Sequence, residues 1–239
     1  MKIIQVIPTF NEAGNLPGLV AALFKQNLPD FNILIVDDNS PDGTGSIAED
    51  LAREHAGQIS VLHRQGKEGL GKAYIEGFRW ALDQGSDVIG MMDADLSHPP
   101  ECLPAMMEEL SKVDVVIGSR YVPGGKLDED WPFWRKALSS FGNTYARTIL
   151  DLPIRDATGG YRLWSRAALE TIPFEESRSS GYVFIVELAY MAKLAGLRFA
   201  EVPIYFAERT YGASKMSLRI QVEAAFRVWQ LRRIYKQKK

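Results

Sequence analysis

Asp93-Ala94-Asp95 is the triplet in this sequence with the clearest chemistry. Two carboxylates at i and i+2, straight after an apolar run, can grip one hard divalent cation, Mg2+ or Mn2+, from one side. Water and substrate phosphates would complete its shell. The competing reading is structural: Ser97-His98-Pro99-Pro100 follows, and the acids would then cap a helix with Ser97 or His98 as N-cap. Glu12 in Pro8-Thr9-Phe10-Asn11-Glu12 and Asp38 in Asp37-Asp38-Asn39-Ser40-Pro41-Asp42-Gly43-Thr44 also stand just after apolar runs. Acids gathered on one rim repel one another, so a cation or a hydrogen-bonding ligand is expected among them. His98 reads as a capping or surface residue rather than a ligand. Arg120, in Gly118-Ser119-Arg120-Tyr121, would meet either a phosphate or a rim acid.

Other chemistries are poorly supported. Gly66-Lys67-Glu68-Gly69-Leu70-Gly71-Lys72 nearly spells a phosphate-binding P-loop, but Ala73 stands where a metal-holding Ser or Thr is required. These glycines read instead as a loop that lets backbone approach a ligand, with Lys72 as a phosphate contact. No Gly-x-Gly-x-x-Gly follows the first apolar run, which argues against a dinucleotide oxidoreductase. There is no Gly-x-Ser-x-Gly nucleophile elbow.

The elements that must position these residues alternate through the first 120 or so positions. Short apolar runs at residues 3–7, 31–36, 59–62, 88–92 and 113–117 read as strands. Helical patterns at residues 15–25, from about 43, at 71–82 and at 101–110 separate them. This is the pattern of βαβ units around a buried, mostly parallel sheet flanked by helices. Ligands of such sheets sit at the carboxyl ends of the strands, where the acids fall. Beyond Tyr121 the alternation stops. Residues 122–134 read as a mobile loop that orders over bound ligand, and residues 156–162 as a tight turn. Helices are expected at 133–150 and 183–194, a strand pair broken by Pro203 at 199–206, and a final helix at 214–235.

With 239 residues, 46% hydrophobic and 24% charged, the chain has globular composition, which excludes disorder and collagen-like repetition. Cys102 is the sole cysteine, so there is neither an internal disulfide nor a CxxC metal site. No apolar run reaches the roughly 18–20 residues that span a bilayer, and the N-terminus lacks a signal-peptide pattern. The net charge of −2 conceals an acidic body and a basic tail. Arg209, Lys215, Arg219, Arg227, Arg232, Arg233, Lys236, Lys238 and Lys239 face a single acid there, Glu223. The tail divides as residues 214–239, a basic amphipathic helix, after a catalytic unit at 1–213. Leu218, Val222, Ala225, Phe226 and Trp229 form one apolar flank, and Ile220, Ala224, Val228, Leu231 and Tyr235 another. One flank would dock on the body, and the second would meet lipid, an anchoring subunit or a second copy of the chain. A cytoplasmic location, peripheral at the cytoplasmic face of the membrane, is expected, with no nucleic-acid partner.

Taken in order, Pro8–Glu12, Val36–Thr44, Gly69–Ala73, Asp93–His98, Gly118–Tyr121, Thr158–Arg162 and Arg209-Thr210-Tyr211-Gly212-Ala213-Ser214-Lys215 make the chain similar, over nearly its whole length, to the family-two inverting glycosyltransferases. Within them it resembles the dolichol-phosphate (polyprenol-phosphate) mannosyltransferase group. The resemblance implies a GT-A-type nucleotide-sugar-binding fold and transfer of mannose from GDP-mannose to a polyprenyl phosphate. It places Pro8, Phe10, Glu12, Val36, Asp38, Asp93, Ala94 and Asp95 around the nucleotide sugar. Asp93, Asp95 and Ser97 would be the metal ligands, and Phe10 takes the place of a Tyr common in the group. Arg120, Arg209 and Lys215 would clamp phosphates, Asp95 and Arg120 would be catalytic, and Arg120 with Arg135 would receive the acceptor phosphate. A phosphate acceptor is already anionic and needs no strong general base; a hydroxyl acceptor would need one, with Asp95 or Asp156 the acids to suspect. The alternatives are a same-fold transferase using UDP-glucose or another nucleotide sugar, and a non-catalytic nucleotide-sugar-binding module.

Overall fold

The computed structural model describes residues 1–208 and 218–236. Its first part follows the alternation in the sequence: β1 (Ile3–Thr9), α1 (Leu16–Phe24), β2 (Phe31–Asp37), α2 (Thr44–Glu54), β3 (Ile59–His63), α3 (Leu70–Asp83), β4 (Val88–Met91), α4 (Leu103–Leu110) and β5 (Val115–Ser119). The second part contains β6 (Lys126–Leu127), α5 (Phe133–Leu150), β7 (Arg162–Ser165), α6 (Arg166–Thr171), α7 (Gly181–Leu194), β8 (Phe199–Pro203), β9 (Tyr205–Phe206) and α8 (Leu218–Lys236).

Seven strands form one sheet in the order β3-β2-β1-β4-β7-β5-β8. All neighbours run parallel except β7, which is antiparallel to both β4 and β5. The strands β1, β2, β4 and β5 are buried on both sides, which is why they read as unbroken apolar runs rather than alternating ones. Two apolar layers result. One face packs Ile4, Val6, Leu34, Tyr74, Phe78, Trp164 and α7; the other packs Ile3, Ile7, Leu19, Ile35, Met106 and Leu163. Gln5 on β1 lies across Gly90 on its partner strand, where a Cβ would sit 2.1 Å from the buried Gln5 amide and force it to move.

Residues 156–161 form neither helix nor strand, in keeping with a turn, but Arg162 already opens the central strand β7 and is fully buried. The segment 122–134 is also more fixed than a bare loop. β6 pairs with β9, and Asp128 Oδ2 accepts from Tyr205 Oη at 3.1 Å and from the Glu208 amide at 2.8 Å.

α8 docks through Val228, Leu231 and Tyr235, which join the core around α7. Phe226 and Trp229 on its other side are 70% and 45% exposed, and α5 adds exposed Phe133, Trp134 and Phe141. Among the described residues no helix is long and apolar enough to cross a membrane.

Candidate active site

The rim at the carboxyl ends of β1, β2 and β4 is built by acids with divided duties. Asp37 braces the loops: its Oδ1 accepts from Thr9 Oγ1 at 3.0 Å and Ser40 Oγ at 2.6 Å. Asp42 caps Thr44 and holds the Ala13 amide, and Thr44 Oγ1 accepts from the Glu12 amide at 2.9 Å. Asn11 and Asn39 turn these loops with φ of 61° and 58°, a conformation asparagine tolerates. Asp38 and Glu12 are left to line a cavity with Pro8, Thr9 and Phe10.

After β4 the chain passes Asp93 and Asp95, both on the same cavity. Asp95 Oδ1 accepts from Ser97 Oγ at 2.5 Å and from the Ser97 amide at 3.1 Å. Ser97 is therefore buried beneath Asp95 and orients it. Leu96, at φ 61°, turns the chain so that His98 points inward. His98 is buried, not the surface or capping residue the sequence suggested. Its Nδ1 accepts from the Asp93 amide at 3.2 Å, and its ring stacks on Tyr161 at 5.4 Å. Burial pushes the imidazole pKa down, outweighing the pull of Asp93 and Asp95 the other way. The ring is thus neutral at pH 7, with its proton on Nε2 as the Nδ1 bond requires.

Arg120 leaves the end of β5 and meets Asp156. Its Nε and Nη2 donate to the two carboxylate oxygens at 2.7 Å each, its backbone amide adds a third bond, and Nη2 reaches Thr158 Oγ1 at 2.8 Å. Asp156 also accepts from the Gly159 amide at 2.9 Å. Burial alone would raise its pKa; the Arg120 charge and hydrogen bonds, with Arg162 behind, outweigh this and hold it below the usual carboxylate range. Arg162 donates to the carbonyls of Gly159, Ile185 and Ala157, and burial lowers it to about 10. Of the two alternatives for Arg120 the structure shows the ion pair with a buried acid, and the residue also lines the cavity.

Around Arg120 the cavity becomes aromatic. Phe206 on β9 lies 5.2 Å from the guanidinium, 5.4 Å from His98 and 5.8 Å from Trp131. Trp131 in turn carries Arg135, whose guanidinium is 3.6 Å above the ring and whose Nη1 donates to Glu208 at 2.6 Å. From here Trp134, Phe141, Tyr145 and Ala146 of α5 and Ala225 and Val228 of α8 continue the wall. The whole is one cavity of about 1080 Å³.

The cavity thus gathers Pro8, Phe10, Glu12, Asp38, Asp93, Ala94, Asp95, Arg120 and Arg135. Val36 lies buried within β2 and Ser97 beneath the rim. Arg209 and Lys215 lie outside the described residues. Lys72 is turned to the surface, paired with Glu68, and Lys67 lines the cavity instead, 3.9 Å above the Phe10 ring. Of the glycines beside them, Gly71 serves packing, since a Cβ there would meet the Ser179 carbonyl at 2.9 Å and Phe184 at 3.0 Å, whereas Gly69, at φ 103°, lines the cavity. Sequence reasoning missed Phe206 and Lys67. The apolar run Ile204-Tyr205-Phe206-Ala207, just ahead of Glu208 and Arg209, was the available signal for Phe206.

Among the described residues no three Asp, Glu, His or Cys side chains converge to hold a metal unaided. Asp93 and Asp95 fit a cation shared with substrate phosphates, since two carboxylates are the protein share such a site commonly has.

Residues 5–172 match the model of the family described as Glycosyl transferase family 2. The chain is 46% identical over 228 residues to an undecaprenyl-phosphate mannosyltransferase of Micrococcus luteus, covering 95% of this chain and 93% of that one. It is 44% identical over 234 residues to a polyprenol monophosphomannose synthase of Mycolicibacterium smegmatis, covering 97% and 88%. Among solved structures, mannosyl-3-phosphoglycerate synthase from Rubrobacter xylanophilus superposes with a TM-score of 0.68 at 18% identity, over 100% of this chain and 75% of that one. A mannosyltransferase from Pyrobaculum calidifontis in complex with GDP-Man and Mn2+ gives 0.62 at 18% identity, over 92% and 60%. The architecture shared with these structures is the GT-A fold.

Proposed function

The chain belongs to glycosyl transferase family 2 and is a glycosyltransferase, and from that premise we propose that it moves mannose from GDP-mannose to a polyprenyl phosphate with inversion. The observation that carries this reading is the single cavity, acidic at the ends of β1, β2 and β4 and aromatic and aliphatic along α5 and α8. A nucleotide sugar suits the first end and a long isoprenoid the second. The names of the two relatives point to the same acceptor class, and the Pyrobaculum calidifontis complex holds GDP-Man with Mn2+.

In this reading Phe10 offers a ring face to the base and Asp38 accepts from its edge, while Asp93 and Asp95 would hold a divalent cation. Mg2+ or Mn2+ bound there would supply charge to neutralise the leaving diphosphate. Arg120, held rigid by Asp156, and Arg135, backed by Trp131, draw the acceptor phosphate in. A phosphate oxygen forms the bond to the anomeric carbon as the bond to the diphosphate breaks. Preorganised charge of this kind is the largest expected contribution to rate. Arg209 and Lys215 would add phosphate contacts.

No general base is needed, since the acceptor is anionic near neutral pH. Asp156 supports this over a hydroxyl acceptor, because Arg120 and the Gly159 amide occupy both its oxygens. The exposed aromatics of α5 and α8 and the basic tail suit a peripheral stance on an anionic membrane surface, where the acceptor phosphate resides. Supplying GDP-mannose, UDP-glucose and other nucleotide sugars in turn, with magnesium and polyprenyl phosphate, tests the donor. Lipid-linked mannose from GDP-mannose is the expected product; a different preferred sugar, or binding without turnover, would replace this reading with one of its rivals.

A further inference from the structure

We propose that Arg64 is a positioning residue for the donor's base: it pins one oxygen of the Asp38 carboxylate and so aims the other at an N–H group on the edge of a base lying against Phe10. The inference rests on the donor reading above and goes beyond it in naming what selects the base.

Arg64 follows β3, and its backbone amide donates to the Asp37 carbonyl at 2.8 Å. Its side chain is 3% exposed. Nη1 donates to Asp38 Oδ1, Nε lies 3.1 Å from Glu76 Oε1 on α3, and Nη2 lies 3.9 Å from Glu68. Asp38 is fixed from the other side too, by its amide donating to the Thr9 carbonyl at 3.0 Å. Its Oδ2 accepts nothing from the described residues, and Asp38 lines the cavity beside Phe10. A carboxylate oxygen next to an aromatic face matches a planar base with an N–H on its pairing edge. Guanine and uracil offer that donor; adenine offers a ring-nitrogen acceptor at the equivalent place, which a carboxylate repels.

A guanidinium suits this task better than an ammonium because its planar fork fixes direction as well as charge. It also governs the charge state of Asp38. Burial raises the Asp38 pKa, Asp37 and Glu76 push the same way, and the hydrogen bond and charge of Arg64 oppose them. Glu68 and Lys67 are the remaining charged groups of the adjoining loop. Without Arg64 the carboxyl would protonate at higher pH and lose its acceptor.

The test is calorimetric binding of GDP, UDP and ADP to the full chain, wild type and variants, from mildly acidic to neutral pH, with melting temperatures alongside. Wild type should prefer GDP or UDP to ADP. Arg64→Met should weaken the preferred nucleotide at least about tenfold, leave ADP unchanged, and move the acid loss of affinity to higher pH. Asp38→Asn should show the same loss of selectivity, and adding Arg64→Met to it should cost nothing more. If Arg64→Met does not fold, Arg64→Lys, which keeps the charge but not the fork, should still narrow the preference. Equal weakening of all three nucleotides, unchanged selectivity in the Arg64 variants, or additive losses in the double variant would overturn the inference and leave the donor reading intact. Wild type preferring ADP would also overturn it. Wild type binding none of the three would remove the donor reading and this inference with it.

Discussion

Replacing Asp156 by Asn removes the charge that holds Arg120 in place while keeping the side chain's shape. The wild-type carboxylate is fully buried and receives two side-chain and one backbone bond from Arg120, and one from the Gly159 amide. Arg162, also fully buried, adds its charge nearby. The variant therefore leaves two guanidinium groups close together with no anion between them. Breaking a buried pair in this way costs about 3–5 kcal/mol. At about 2–4 °C per kcal/mol for a chain of this size, the melting temperature should fall by about 6–20 °C. The effect has a defined pH dependence. The Asp156 pKa is depressed in the folded state, so its contribution is complete above the unfolded value, near 4, and is lost as pH falls through the lower folded value. The gap between wild type and variant should be constant at neutral pH and close only below about pH 4. Melting curves followed by circular dichroism from neutral to acid pH measure both. Turnover should fall as well, because Arg120 loses its aim at the acceptor phosphate. A stability loss below about 1 kcal/mol at neutral pH, or a gap that persists unchanged into acid, would refute the reasoning.

Three other outcomes are expected. Tyr235→Phe should cost about 1.5–3 kcal/mol by removing the bond at 2.9 Å to buried Glu187, the residue that also accepts from Ser177 Oγ and the Ser179 amide; an unchanged denaturation midpoint would show that α8 is not held there. Charge reversal at Arg232, Arg233, Lys236, Lys238 and Lys239 should weaken salt-sensitive binding to anionic liposomes, each charge being worth about 1 kcal/mol near such a surface; liposome co-sedimentation that does not change would remove the tail from the membrane contact. Ser97→Ala should reduce turnover less than Asp95→Asn, since Ser97 steers Asp95 from below; side-by-side initial rates with Ser97→Ala the more damaging change would instead make the hydroxyl a direct ligand.

The parallel half of the fold was legible because β1, β2, β4 and β5 are buried on both faces and its helices are amphipathic, both local signals. The rim acids followed from knowing that such strands end at the ligand. What escaped was non-local. Nothing in Arg162-Leu163-Trp164-Ser165 announces a strand inserted between β4 and β5, because its opening residue is an arginine whose charge is met by carbonyls and Asp156 only in the folded state. That Arg120 meets an acid was one reading of the sequence, but not that the acid is Asp156, which stands 36 positions away. His98 looked exposed beside two prolines; a positive φ at Leu96 turns it inward. Lys72 misses the cavity because helix α3 begins at Leu70 and carries it to the surface, while Lys67, before the helix, lines the cavity.

The central claim is that the acidic and apolar ends of one cavity serve one reaction. Incubating the protein with GDP-mannose labelled in the sugar, a polyprenyl phosphate and magnesium, then extracting with organic solvent, tests it most directly. Label should appear in the lipid phase as polyprenyl-phosphate mannose, abolished by EDTA and by Asp95→Asn in a variant that melts like wild type. Label that never leaves the aqueous phase, or transfer that survives both EDTA and Asp95→Asn, would contradict it.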